Sequence, residues 1–262
     1  MQENGVHKPT ARVLDILALL GSNPEGYTLT EIADLIHAAK GTIFPILHTM
    51  NDRKFILQDA GTGKYRIGIS SFCVGESYTN NKTVMQFITE EMHSIVNQVG
   101  EICQMGILDN GEVLYVAKVD NKEAIRLISH VGKRLPAYCT ALGKALLSTI
   151  SIADIKKLYP NGLKAYTPNT INTFKKLENA IAETKKTGIA SESEEIAEHL
   201  CCLAVPLCVN GKAIAALSVS SPTFRSSREK DKLIKKVLLC SKEKIETYFN
   251  TEHFDINDFI FN

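Results

Sequence analysis

The chain has 262 residues, 44% of them hydrophobic and 23% charged, enough to bury one large core or two modest ones. Its formal net charge is only +1, so bulk electrostatics mark no nucleic-acid binder, and any such contact has to come from local placement. No apolar run approaches the roughly 18–20 residues that span a bilayer, and the opening MQENGVHKPT holds no hydrophobic signal region, so a cytoplasmic protein with no membrane partner is expected.

Seven cysteines, at 73, 103, 139, 201, 202, 208 and 240, form no C-x-x-C pair. They read as reduced thiols, with no metal site and no cofactor implied.

In chain order, TARVLDILALLG predicts a first helix, capped by Thr10, with Val13, Ile16, Leu17 and Leu20 inward and Gly21 as its stop. NPEGY is a turn. TLTEIADLIHA predicts a second helix, capped by Thr30, with Ile32, Ala33, Leu35 and Ile36 inward. After a break at Ala38-Ala39, KGTIFPILHTM puts Ile43, Ile46, Leu47 and Met50 on one stripe. Lys40, Thr42, Phe44 and His48 are left on the other faces. Pro45 deletes a backbone donor, at up to ~3 kcal/mol in a helix interior. The regular helix is therefore expected to begin late, after a loosely wound Gly41-Thr42, where N–H groups need no helical partner. FILQDAGTGKYRIG then alternates about Gly61-Thr62-Gly63, with Phe55 and Leu57 before the turn and Tyr65 and Ile67 after it, which predicts a β-hairpin.

Three short helices and a hairpin, residues 1–68, make a winged helix-turn-helix. In such a unit the second helix of the turn enters the major groove of duplex DNA. Lys40, Thr42, Phe44 and His48 are then the DNA-facing residues of the helix, with Lys64 and Arg66 on the wing. Residues 1–70 carry seven Lys/Arg and seven Asp/Glu, but five of those cations lie between 40 and 66 against two anions, Asp52 and Asp59.

Residues 69–82 are small and polar and suit a linker or linker helix, and residues 83–250 form a second domain. It opens on a long amphipathic helix from Lys82 to Gly100. EICQMGILD and EVLYVAKVD follow, joined by the hairpin dipeptide Asn110-Gly111, and AIRLISHV is a further strand. LPAYCTALGKALL reads as an extended segment and a helix from about Thr140. Helices at 151–158 and 173–187, a second hairpin about Asn210-Gly211 and a basic helix at about 226–247 complete an α+β domain with an antiparallel sheet. Residues 251–262 form a tail of aromatics and acids.

TALGKALL offers the backbone N–H groups of Ala141, Leu142 and Gly143 at a helix start, which suits an anion. The alternative is that Thr140 merely caps the helix and Gly143 allows close packing. Ser218 and Ser220 share one face of their strand, and of Cys201 and Cys202 only one faces a given side.

The blocks LTEIADLI, KGTIFPILHTM, YRIG, LPAYCTALGKALL, SESEE and CCLAVP…NGKAIAALSVSSP, in this order and spacing, resemble the IclR family of bacterial transcriptional regulators over about Ala11 to Lys244. GTIFPILHTM also resembles PadR-type winged-helix regulators, which carry a proline at this place. The IclR resemblance implies a winged-helix head, a linker helix that helps dimerise, and a GAF-like effector domain. It further implies a homodimer or dimer of dimers on a palindromic operator, with a small organic acid as effector. Pocket walls carried over by the resemblance are Leu135, Glu192, Leu200, Cys202, Ser218 and Ser220. Glu192 departs from the family pattern, which more often has aspartate. Two rivals stand beside this: a thiol-based redox-sensing regulator, and a hydrolase using Cys139, Cys202 or a serine with His199. The hydrolase lacks a G-x-S-x-G elbow and an H-E-x-x-H pair.

Overall fold

The structure, a computed structural model, describes residues 7–78, 82–121 and 130–251. The chain divides into two compact units, Met1–Lys82 and Thr83–Asn262.

The first unit holds α1 (Lys8–Gly21), the two-residue strand β1 (Tyr27–Thr28), α2 (Leu29–Leu35), α3 (Lys40–Asp52), β2 (Ile56–Gln58), β3 (Lys64–Ile67) and α4 (Ile69–Tyr78). Ile16, Leu20, Ile32, Ala33, Ile43, Leu47, Met50, Ile56 and Tyr65 form its core. The helical stripes are those the periodicity predicts, but the caps are not. His7 stands at the N-cap of α1 in place of Thr10, and Pro9 sits in the first turn, where its missing N–H costs nothing. Thr28, not Thr30, caps α2. Its hydroxyl accepts from the Glu31 N–H (3.3 Å) and Glu31 Oε2 accepts from the Thr28 N–H (2.7 Å), a reciprocal capping box.

The late start expected for α3 is also corrected. The helix is regular from Lys40, because Ala39 O accepts from the N–H groups of Thr42 (2.9 Å) and Ile43 (3.2 Å). Pro45 sits inside the helix. The carbonyl it fails to serve, that of Gly41, lies on the exposed face, where a lost donor costs less than it would in the core. The wing forms as predicted. β3 is the centre of a three-stranded sheet ordered β1-β3-β2, and Ile56 and Tyr65 point inward while Leu57 is 62% exposed. The missed strand β1 follows Gly26, whose φ of +70° turns the chain back against Tyr65.

In the second unit, α5 (Lys82–Val99), β4 (Ile102–Asp109), β5 (Glu112–Val119), β6 (Arg134–Pro136), α6 (Ala141–Leu147), α7 (Ile152–Leu158), α8 (Phe174–Thr187), β7 (Ala190–Ser193), β8 (Leu200–Val209), β9 (Lys212–Pro222) and α9 (Arg228–Thr251) follow in turn. Among the described residues, six strands form one antiparallel sheet in the order β6-β5-β4-β9-β8-β7. Helices α5 and α9 pack one face through Ile88, Met92, Ile95, Ile234 and Leu238. Helices α6, α7 and α8 pack the other through Leu142, Leu146, Ile155 and Leu177. Both predicted Asn-Gly turns have positive φ at each residue (49° and 85°; 50° and 76°), as a tight hairpin of this twist requires. Of the expected strand at 124–131, residues 124–129 lie outside the described residues, as does the tail from 252.

Candidate effector pocket and nucleic-acid interface

The period of a strand decides which side chains reach the pocket. Pairing aligns Glu192 with Cys202 and Cys202 with Ser220, and in the neighbouring row Gln104 with Ser218. All five therefore project from the same side of the sheet, toward α6. There they floor a cavity of about 580 Å³. Tyr115 and Leu135 continue that floor from β5 and β6. Thr140, Ala141 and Leu142 supply the helical wall, and Ile196, Leu200, Tyr166 and Phe224 surround the rest. Cys201, the odd neighbour, points away and donates to Ser221 O (3.3 Å).

Eight of the nine residues expected at this site line the cavity: Leu135, Ala141, Leu142, Glu192, Leu200, Cys202, Ser218 and Ser220. Gly143 does not. Its N–H donates to the Thr140 hydroxyl (3.1 Å), and its missing Cβ makes room for the backbone of Ala137, which is the close-packing alternative. Sequence reasoning missed Gln104, Tyr115, Lys133 and Tyr166. A buried glutamine inside the apolar run ICQMGIL was the one legible signal.

The floor is a polar chain. The Ser220 hydroxyl donates to Gln104 Oε1 (3.0 Å) and lies 3.1 Å from Cys202 Sγ. Glu192 is 3% exposed. Its Oε2 accepts from the Glu195 N–H (3.0 Å), while Oε1 is buried without a hydrogen bond of ordinary geometry. Burial pushes this carboxyl up to about 7, against the Glu195 N–H and the Cys202 thiol, which favour its charged form. Burial likewise holds the Lys133 ammonium below its ordinary range.

A smaller cavity of about 330 Å³ shares Glu192 and Cys202 with this one. It adds Glu195 and Asp231, which make it a poor host for an anion.

Burial raises the Cys202 thiol well above its ordinary value and moves Cys139 up to about 12, which leaves both protonated and unreactive near neutrality. Neither of these two thiols is therefore poised as a thiolate nucleophile. His199 is exposed and lies beside Glu194 (3.8 Å).

In the first unit, α3 presents Lys40, Thr42, Phe44 and His48 outward, as expected. His48 Nδ1 pairs with Asp52 (3.1 Å). Lys64 and Arg66 share the outer face of the wing, and Arg66 also donates to Glu25 O (3.4 Å).

Two family models match. The IclR helix-turn-helix domain covers residues 9–60, and the bacterial transcriptional regulator IclR C-terminal domain covers residues 76–246. The chain belongs to the IclR family. Like its relatives, it is a DNA-binding regulator of transcription and not an enzyme. It is 31% identical over 216 residues to the HTH-type transcriptional regulator XynR of Escherichia coli, covering 82% of this chain and 86% of XynR. Its fold matches an IclR regulator from Alicyclobacillus acidocaldarius with a TM-score of 0.81 at 24% identity, covering 92% of this chain and 97% of the other. It also matches an IclR homolog from Microbacterium hydrocarbonoxydans, complexed with 4-hydroxybenzoate, with a TM-score of 0.79 at 20% identity, covering 92% and 99%. No described helix is long and apolar enough to cross a membrane.

Proposed function

We propose that this IclR-family regulator senses a small organic acid in the 580 Å³ cavity and changes its grip on an operator in response. The observation that carries this is the polar row Glu192, Cys202, Ser220, Gln104 and Ser218, set in a largely apolar pocket. A small-molecule site has that composition, with a few converging polar groups fixing orientation. The Ala141 and Leu142 N–H groups beside it find no acceptor among the described residues and supply further donors. The protein acts as a homodimer or dimer of dimers, a reading supported by Ile69 and Phe72, which leave α4 strongly apolar on its outside.

Glu192 adds a condition. An anion and a buried carboxylate in one cavity repel, so the acid is bound with Glu192 protonated. Around Glu192 stand Lys144, which is paired to Glu195, together with Glu195 itself and the thiol of Cys202, and Lys133 and His199 line the same cavity. Titrating the full chain with a panel of small organic acids, 4-hydroxybenzoate among them, is expected to reveal at least one ligand by calorimetry. Its affinity should fall by up to about tenfold per pH unit above 7, the slope of one linked proton. Glu192→Gln should flatten that dependence. Binding that strengthens with rising pH would refute the condition, and a panel without any binder at pH 6 would refute the sensing role.

The same residue sets a stability trend. Glu192 holds its proton in the folded chain over a range where the unfolded chain has lost it, from the ordinary 4.5 up to about 7. Its contribution is complete below about 4.5 and is lost as pH rises to 7.

For the DNA-reading face, Lys40→Ala, Lys64→Ala and Arg66→Ala are each expected to weaken operator binding and to lower the salt slope by about one, since each phosphate contact releases counterions. Of the three, Arg66 is tied to Glu25 and should show the smallest change. Unchanged slopes in gel-shift titrations across salt concentrations would move the DNA contacts elsewhere.

A further inference from the structure

The outward face of α3 is unusual for a helix that reads DNA. From Lys40 to Met50 it contains no Arg, Asn, Gln, Asp or Glu, which leaves Lys40, at its very start, as the one side chain of the kind that makes two-pronged hydrogen bonds to bases or accepts from cytosine. Several polar groups in and just beyond its C-terminal half have partners within the head. The Thr49 hydroxyl donates to Pro45 O (2.8 Å), His48 pairs with Asp52 (3.1 Å), and Asn51 Oδ1 accepts from the Gln58 N–H (2.9 Å). Outward stand Lys40, Thr42 and His48 beside two apolar rings, Phe44 (52% exposed) and Pro45.

An exposed phenylalanine at this position is matched by one feature of the major groove. Base edges there are hydrogen-bonding groups, except for the C5-methyl of thymine, which is apolar. Lys40 at the start of the same helix and the wing cations Lys64 and Arg66 fit the flanking phosphates, which commits this face to duplex DNA. From this we infer that Phe44, supported by Pro45, reads thymine methyl groups, so that each operator half-site places thymine opposite the middle of α3. The inference rests on the helix being the DNA-reading element and adds which base it reads.

The test needs no prior operator. Full-length protein selects its sites from a random duplex library, and the selected site is resynthesised with deoxyuridine in place of each thymine in turn, which removes only the methyl. At one or two positions per half-site, deoxyuridine is expected to weaken binding about fourfold, the factor corresponding to one buried methyl-sized group. Phe44→Ala should weaken binding to the thymine duplex by a similar or larger factor and be indifferent to deoxyuridine at those positions. Phe44→Leu, which keeps an apolar contact, should retain the penalty. Because Phe44 is exposed, all variants should melt like the parent, and this is checked by circular dichroism. A selected site at which no deoxyuridine matters, or a Phe44→Ala variant that still senses it, overturns the thymine assignment and leaves DNA reading intact. Failure to select any sequence overturns both, and self-association through Phe44, seen as a monomer shift in Phe44→Ala without DNA, would reassign the face to a second copy.

Discussion

Gly143→Ala is expected to destabilise the C-terminal domain by about 3 kcal/mol or more, at the upper end of what overpacking does, and to lower its thermal midpoint by roughly 10 °C. A Cβ at this position would lie 2.1 Å from the carbonyl oxygen of Ala137 and 2.2 Å from its Cα. Both are backbone atoms of the short turn Ala137–Cys139, which is buried and cannot swing aside as a flexible side chain does. Relief requires α6 or the turn to move. Either movement breaks the bond from the Gly143 N–H to the Thr140 hydroxyl and displaces Ala141 and Leu142, two walls of the 580 Å³ cavity. A calorimetric melt is therefore paired with ligand titration, and both should be damaged together. A variant as stable as the parent would show that α6 does not need this close approach.

The glycine also shows why some of the architecture was legible and some was not. A glycine in TALGKALL signals either an open helix start or a close contact, and the sequence cannot choose between these because the contact partner is set by tertiary packing. Local patterns carried much further. The stripe Ile43, Leu47 and Met50, the two Asn-Gly turns and the amphipathic α5 all emerged as expected, since each depends on residues within a few positions of one another. Thr30 and Thr10 failed as caps for a related reason. A threonine is a cap only where the backbone leaves the helix, and the capping box to Glu31 fixes that point at Thr28.

For the cavity, family resemblance supplied Glu192, Cys202, Ser218 and Ser220, and strand pairing explains why they meet. Gln104 and Tyr115 were out of reach because the sheet order β6-β5-β4-β9-β8-β7 inserts β4 beside β9, more than a hundred residues later in the chain. No local signal announces that neighbour.

Lys144→Met is the other substitution with a large expected effect, a loss of about 3–5 kcal/mol. Lys144 lies on α6 at 2% exposure. Its ammonium donates to Ser191 O (2.9 Å) and pairs with the carboxylate of Glu195, which is itself 7% exposed and has Oε2 buried without a partner. Removing the cation strands that carboxylate in a low-dielectric interior, where a lone charge costs far more than the pair is worth. The double variant Lys144→Met/Glu195→Gln should recover most of the loss, because the stranded charge is gone and Met fills a similar volume. Urea melts of the two variants and the parent test this, and a double variant as unstable as the single one would mean that packing, not charge, is lost. The consequence reaches the ligand site through one hydrogen bond. The Glu195 N–H orients Glu192 by donating to its Oε2, so a loop released by Lys144→Met should let Glu192 turn toward water. Its carboxyl would then titrate closer to an ordinary glutamate, and the pH dependence of acid binding should weaken in the single variant and return in the double.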